Sequence, residues 1–443
     1  MRLMTRKWNF TAHSHRTNEK PADLQQSEPH ATITEQEDRE SNQKQDGMSE
    51  LLVSDQADFE ELCDHIRQAG IVAFDSEFIS EYSYRPQLCL LQLATPARCV
   101  AIDPFEIEQL DSWWDVMADD ATTIVVHGGQ QEVRFCLTAT GRRPANLIDV
   151  QIAEGLQSRS YPLAYGTLVQ RVLGKKLHSK ETRTDWRRRP LSEKQITYAM
   201  DDARYVLKTW ERQRDSLSRL GRLEWVETEC NRMIDDIETE LSRESWRRIS
   251  GLHKLNAREL AVAIELADWR EAEAEKLNRN PKRILRDDLL IDMARRQPKS
   301  EKELLATRDM NRGDYKRRSA DFLRCIQRGL SVSDGELTRL PRMPRPDKNH
   351  DEQVVGKLLG LALANRCAEL DLSMSLVGTT ADLRDLVRWH VQEGRAGTAP
   401  RLACSWRAEV CGDLLEDVLD GKIAIRVADP TSDHPLVFDR LDV

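Results

Sequence analysis

Residues 71–80 read IVAFDSEFIS, and the rest of the chain is best understood outward from them. Four apolar residues lead into Asp75, the small Ser76 and Glu77. On a β-strand, positions i and i+2 point to one face. Asp75 and Glu77 therefore stand side by side at the end of a strand that otherwise reads as buried, and Ser76 turns to the opposite face. Two like charges that close repel, and the cost remains unless a proton or a cation sits between them.

The 443 residues suggest about three domains at roughly 150 residues each. A composition 40% hydrophobic and 32% charged is that of a globular protein with a large polar surface. No apolar run approaches the roughly 20 residues that span a bilayer, and the basic start MRLMTRKWNF lacks the apolar stretch of a secretory signal. Nine scattered cysteines, without a C-x-x-C pair, argue for reduced thiols in a cytoplasmic protein over a disulfide framework or a zinc site. The net charge of −9 weighs weakly against nucleic acid, yet Lys and Arg clearly outnumber Asp and Glu between Arg243 and Arg328. Such a basic module is either an electrostatic footprint for nucleic acid or simply an Arg-rich helical surface.

Residues 1–48 are rich in Gln, Glu, Ser, Asn, Thr and His with almost no aliphatic periodicity, and are expected to form a disordered tail. Met48 is a candidate alternative start of translation. From 49 to 215 strand and helix signals alternate. ADFEELCDHIRQAG predicts an amphipathic helix closed by Gly70. IVAFDSEF, LCLLQLAT and CVAIDP predict three strands in succession, and TTIVVHG a further one before the helix begun by QQEVRFCLTAT. NLIDVQIAEGLQ, YGTLVQRVLG and the long SEKQITYAMDDARYVLKTWERQRDSLSRLG all read as helical. The sum is an α/β domain, a mixed sheet flanked by helices. Strand signals stop after about residue 240. All-α segments occupy 240–330 and 352–425, joined by a Pro- and Arg-rich linker over 331–351 that should be extended and exposed, with a tail over 426–443. Paired Trp246-Arg247 and Trp406-Arg407 hint that the two helical segments are a diverged repeat.

Three acidic spots lie where a strand end or a helix face can present them. The first is Asp75 with Glu77. In the second, VVHGGQQEV, a strand exits through Gly128 and Gly129 and Glu132 falls on the first turn of a helix. In the third, YAMDD, Tyr198 and Asp202 are four apart and share a helix face. Carboxylates converging from separate elements suit hard cations, and a pair of ions about 3.5–4 Å apart serves phosphoryl transfer. The Tyr198 phenol would orient the attacking water. Each piece also has a plainer reading: a solvated turn for Asp75-x-Glu77, an ordinary helix pair for Tyr198 and Asp202, a helix-end charge for Glu132. His127 reads as an interior residue, and Trp186 in the loop KKLHSKETRTDWRRRP as a core anchor more than a base-stacking platform.

The order of the pieces resembles ribonuclease D, of the DEDD superfamily of 3′–5′ exonucleases. AFDSEF followed by YRPQLCLLQLA is similar to the first family motif, VVHGGQQEVRFC with LIDVQIA to the second, and SKETRTDWRRRPLSEKQITYAMDDARYVL to the third. The Tyr-x-x-x-Asp of the third marks the tyrosine-type branch. The stretch from LHKLNAREL to ARRQP resembles the HRDC helical module, and residues 352–425 resemble a second one more faintly. The resemblance implies a ribonuclease H-like nuclease domain over 49–215, with Asp75, Glu77, Glu132, Tyr198 and Asp202 catalytic. Asp75, Glu77, Glu132 and Asp202 would be ligands of two divalent ions, Mg²⁺ or Mn²⁺, one of them between Asp75 and Glu77. Where the family's second motif carries Asp this chain has Glu132, one methylene longer, with Asp149 an acidic neighbour able to compensate although its motif position suggests support of the fold. The implied activity is 3′–5′ trimming of RNA, with tRNA precursors the expected class. An RNA-binding protein weakened catalytically at Glu132, and an exonuclease acting on DNA, stay open as alternatives at this point.

Overall fold

Nine consecutive residues, Ile71–Ile79, do form a strand, β2, and it runs through the middle of the sheet. The computed structural model describes residues 49–177, 184–341, 350–392 and 394–441. The tail expected over 1–48, six residues of the loop before the third motif and residues 342–349 of the Pro- and Arg-rich linker lie outside them.

With β1 (Ser49–Val53), β3 (Gln87–Ala94), β4 (Arg98–Ile102), β5 (Thr123–Val126) and β6 (Leu147–Asp149), the sheet has the order β1-β4-β3-β2-β5-β6. β2, β3 and β4 are antiparallel neighbours, while β1 on β4, β5 on β2 and β6 on β5 are parallel. The apolar start of β2 follows from this central place: Val72, Ala73 and Phe74 are fully buried, with helices on both faces of the sheet. Only Ile71, Val72 and Ala73 pair with β5. Beyond Ala73 the strand continues along β3 alone, so Asp75, Ser76 and Glu77 project past the end of β5. Crevices of this kind, at the carboxyl ends of strands where neighbours diverge, are where α/β sheets bind ligands.

Helix α1 (Gln56–Ala69) is capped by the Asp55 carboxylate and closed by Gly70 at φ +68°, and buries Phe59, Leu62, Cys63 and Ile66. After α2 (Asp111–Met117), α3 (Gln130–Thr140) and α4 (Val150–Gly155) come α5 (Tyr165–Leu173), α6 (Glu193–Arg204), α7 (Val206–Arg219) and α8 (Leu223–Ser242). Two readings of the sequence are corrected here. NLIDVQIAEGLQ is not all helix: Leu147–Asp149 is an edge strand, because its apolar residues meet β5, and the helix begins only where Asp149 caps Gln151. The long third-motif segment breaks at Tyr205 into α6 and α7, a bend that lets α6 lie on the sheet while α7 turns to pack against α4 and α5.

Past α8 the first helical segment has its own core, in which Leu260, Val262 and Leu266 of α9 (Ala257–Lys276) meet Phe322 and Ile326 of Ser319–Ser331. Those two helices cross so closely at Gly329 that a Cβ there would lie 2.5 Å from the Val262 Cα. The linker is less extended than expected, since Asp334–Leu337 forms a helical turn with a Ser333–Glu336 capping box. The last segment, from His350–Glu369 to Leu414–Leu419, shares one continuous core with the nuclease domain. Strands do return after residue 240: Ile423–Val427 (β7) and Leu436–Arg440 (β8) form an antiparallel hairpin where a tail was expected. IAIRV and LVFDR each supply only five residues of alternation, and among the described residues neither strand has another partner to make it recognisable. Among the described residues no helix is long and apolar enough to cross a membrane.

Candidate active site

Asp75 pairs across the sheet with Gln92 and Glu77 with Leu90, and the register slips by a β-bulge between Glu77 and Phe78. Bulges re-aim side chains next to functional sites. Asp75 and Glu77 thus share one face at the open end of β2, the face crossed by α6.

Glu132 reaches the same region from α3. β5 ends in a turn through Gly128, at φ +67°, and Gly129, where a Cβ would lie 2.3 Å from Val126 Cγ2. Asp149 holds this turn. Its buried carboxylate accepts from the backbone N–H of Gly128 (3.0 Å), Gly129 (3.1 Å) and Gln151 (2.8 Å). All three of its bonds are to backbone, so Asp149 fastens the β5–α3 turn to β6 and α4. Glu132, on the first turn of α3, is only 5% exposed, and its Oε1 accepts a short hydrogen bond from the Ser76 hydroxyl. Ser76 does face away from Asp75 and Glu77, but it is not idle there: it grips the carboxylate of the second motif.

α6 brings the third pair. Ser192 and Gln195 close a capping box at its start, and Tyr198 and Asp202 then fall on one face, hydrogen-bonded to each other. Trp186 is buried and stacks on the Tyr198 ring, with centroids 6.3 Å apart. Its loop is pinned by Arg189, which bridges Asp103 (Nη2 to Oδ1, 2.7 Å) and the Cys89 carbonyl (2.8 Å). A cavity of about 300 Å³ opens beside them, lined by Asp75, His127, Tyr165, Gly166, Leu177, Tyr198, Asp201 and Asp202. Glu77 and Glu132 lie outside that lining.

The carboxylates feel one another. Burial first, then the charges of Glu132, Asp202 and Glu77, hold the Asp75 carboxyl well above its ordinary range. Burial, Asp202 and Glu132 push Glu77 up to about 8. Burial raises Glu132 to about 7 against the opposing Ser76 hydrogen bond, and Asp202 to about 6 against that of Tyr198. Tyr198 itself is raised, by burial and then by Asp202, so its phenol keeps its proton at neutral pH. Four acids gathered in one crevice, with no Lys or Arg charge among the described residues that offsets theirs, are the donor set of a hard cation. Among the described residues no three His, Cys, Asp or Glu side chains already stand in a closed cage. Side chains whose charges repel are expected to draw together only around an ion.

Several site residues were not legible beforehand. Gln92 is fully buried and, among the described residues, neither of its amide atoms has a hydrogen-bond partner, on the face it shares with its cross-strand partner Asp75. LCLLQLA does show one polar residue in an apolar strand, but what it faces depends on register. Tyr165 and His127 make the far wall of the cavity. The Tyr165 hydroxyl donates to the Asp201 carbonyl (3.1 Å), and His127 Nε2 lies 2.9 Å from the Leu163 carbonyl, an inward-turned second layer as its sequence context suggested. YGTLVQRVLG had read only as a helix.

The 3′–5′ exonuclease family matches residues 51–217, and the HRDC domain matches residues 259–326. Fold and crevice are thus those of a 3′–5′ exonuclease followed by an HRDC module. Ribonuclease D of Bartonella henselae is 31% identical over 376 residues, covering 84% of this chain and 90% of that protein. Ribonuclease D of Sphingobium indicum is 31% identical over 384 residues, covering 85% of this chain and 96% of that protein. The crystal structure of Escherichia coli RNase D, described as an exoribonuclease involved in structured RNA processing, superposes with a TM-score of 0.74 at 25% identity. It spans 84% of this chain and 99% of that one. The chain belongs to the ribonuclease D family and is a 3′–5′ exoribonuclease.

Proposed function

We propose that this protein trims RNA 3′ ends by two-metal phosphodiester hydrolysis at Asp75, Glu77, Glu132 and Asp202, with tRNA precursors as the substrate class. One observation carries the reading: four carboxylates from β2, α3 and α6 converge at the open end of the central strand, where the charges of Glu132 and Asp202 add to burial in raising Asp75 and Glu77. When bound, two Mg²⁺ or Mn²⁺ ions would supply Lewis acidity toward the scissile phosphate and ionise the attacking water. Asp75, Glu77 and Asp202 would hold one of them, and Asp75 with Glu132 the other. Tyr198 stays protonated, so its role is to aim the water by a hydrogen bond, with Asp202 orienting the phenol and Trp186 bracing the ring. His127 and Tyr165 close the cavity around the terminal nucleotide. The tRNA assignment rests on the family resemblance and on the involvement of the Escherichia coli relative in structured RNA processing.

The test is product analysis on matched RNA and DNA oligomers and on a tRNA precursor with a 3′ extension, with Mg²⁺ or Mn²⁺ present. Mononucleotides released from the 3′ end of RNA are expected, and Asp75→Asn or Asp202→Asn should abolish release with the circular dichroism unchanged. Substantial turnover by either variant would refute the two-metal reading. Equal rates on matched DNA would refute an RNA-specific role.

A further inference from the structure

The loop after β2, SEYSYRP at 80–86, leaves the crevice and meets the first helical module. Tyr84 docks it there: its backbone N–H donates to Asn278 Oδ1 (3.1 Å), and its hydroxyl is hydrogen-bonded to Glu271 on α9. Tyr82, two residues earlier, does something different. It remains 51% exposed, and two guanidinium groups lie over its ring, Arg187 at 5.5 Å from the nuclease domain and Arg283 at 4.7 Å from the helical module.

The two arginines are not equivalent. Arg187 is paired with Asp185 through both carboxylate oxygens. Arg283 is exposed, and among the described residues its side chain has no hydrogen bond or ion pair. A ring face attracts one cation readily, but a second on the same ring adds like-charge repulsion. An anion bridging the two forks would relieve that repulsion, and the planar, donor-edged guanidinium suits phosphate oxygens. Arg188 adjoins the pair with its side chain 85% exposed, and Lys282 flanks Arg283. The seam is also continuous with the reaction site, since Arg187 follows Trp186, which stacks on Tyr198.

We propose that Tyr82, Arg187 and Arg283 form a phosphate subsite on the seam between nuclease domain and HRDC module. It would hold the backbone of a single-stranded RNA upstream of the nucleotide in the cavity. The ring face draws both guanidinium groups to one place, and binding there would be sequence-independent because phosphate carries no base identity. The subsite rests on the proposed seating of the RNA 3′ end between Asp75 and Asp202. It adds a second anchor that works only while both modules are in place.

The full-length protein tests this in two arms. In chelator, where hydrolysis is off, binding of a long single-stranded RNA is measured against salt. Arg283→Glu should weaken it about tenfold and lower the log–log salt slope by about 1. With Mn²⁺ restored, the ratio of kcat/KM for long RNA over a dinucleotide should fall by a similar factor in Arg283→Glu and in Tyr82→Ala, and recover partly in Arg283→Lys. An unchanged salt slope and ratio would overturn the subsite. So would equal losses on long RNA and dinucleotide, which mark Arg283 as a structural pin. Because the binding arm needs no turnover, failure of the catalytic reading would leave its result standing.

Discussion

Glu132 stands at the position where the family's second motif carries Asp, and its longer side chain ends on the Ser76 hydroxyl. That hydroxyl fixes where one carboxylate oxygen points. Outer partners of this kind are typically worth about 10–100-fold in metal affinity or activity. Ser76→Ala is therefore expected to raise the Mg²⁺ concentration for half-maximal turnover about tenfold, read from metal titrations of initial rate; an unchanged midpoint would make the contact incidental. Glu132→Gln should nearly silence the enzyme, whereas Glu132→Asp should raise Mg²⁺-supported activity relative to Mn²⁺, because Mg²⁺ tolerates little departure from octahedral geometry. The same acids give the metal-free protein an unusual pH response. Glu77 near 8 and Glu132 near 7 are raised in the folded state, burial being the larger cause. Through that window, above the ordinary carboxylate range, the folded chain binds more protons than the unfolded one, so stability falls as pH rises. In chelator the Tm is expected to drop between about pH 5 and pH 8, and added Mn²⁺ should restore more at the upper end. A flat profile in chelator would contradict the raised values.

At the scale of elements, the site depends on turns more than on the helices that follow them. Gly129 sits in contact with Val126, so Gly129→Ala has to move the turn that starts α3. Overpacking of that kind costs about 1–3 kcal/mol. The expected result is lower stability and a larger loss of activity, since Glu132 rides on the displaced turn. Asp149→Asn changes no shape, but it turns one carboxylate oxygen into an N–H₂ group, so that with the amide oxygen serving Gly128 and Gln151 the Gly129 N–H is left facing a donor. A buried donor left unsatisfied costs about 1–3 kcal/mol, measurable as a shift in urea midpoint. α6 is protected differently, by its capping box and by the Trp186 ring against Tyr198.

Across the whole molecule the two helical segments are held in different ways. The HRDC module has a core of its own and meets the nuclease domain through the Tyr82 and Tyr84 loop. The last segment instead continues the nuclease core, and Glu229 of α8 is the polar knot. It accepts from Arg407 (2.5 and 2.7 Å), from the Trp406 indole (2.9 Å) and from Arg232 (2.8 Å). Burial raises the Glu229 pKa, but Arg407 and Arg232 together outweigh it and the carboxyl sits below its ordinary value. Removing one partner of a fully buried pair costs about 3–5 kcal/mol, because the other charge is stranded. Glu229→Gln should therefore destabilise the nuclease domain by several kcal/mol in urea unfolding, about that range, without touching the catalytic acids. Truncation after residue 349 should do the same or worse, since it bares the α8 face. A truncated protein as stable as the full chain would show that the shared core contributes nothing.

What the chain determined by itself was the central strand, its two carboxylates and the spacing of the motifs that answer them. Apolar runs, turn glycines and an i,i+4 pair are local, and local physics is readable in one dimension. IVAFDSEF, the GG exit before Glu132 and Tyr198 with Asp202 all behave as their neighbours in sequence require. What only the tertiary structure decided depends on register and on partners far away in the chain. Gln92 faces Asp75 because of strand pairing, and Ser76 meets Glu132 because β2 outruns β5. LID becomes a strand because β5 offers it an edge, and the β7–β8 hairpin forms because its two halves find each other. Glu229 and Arg407 are 178 positions apart, and no periodicity links them. Their pairing, like the seam at Tyr82, is a product of which surfaces the folded modules bring together.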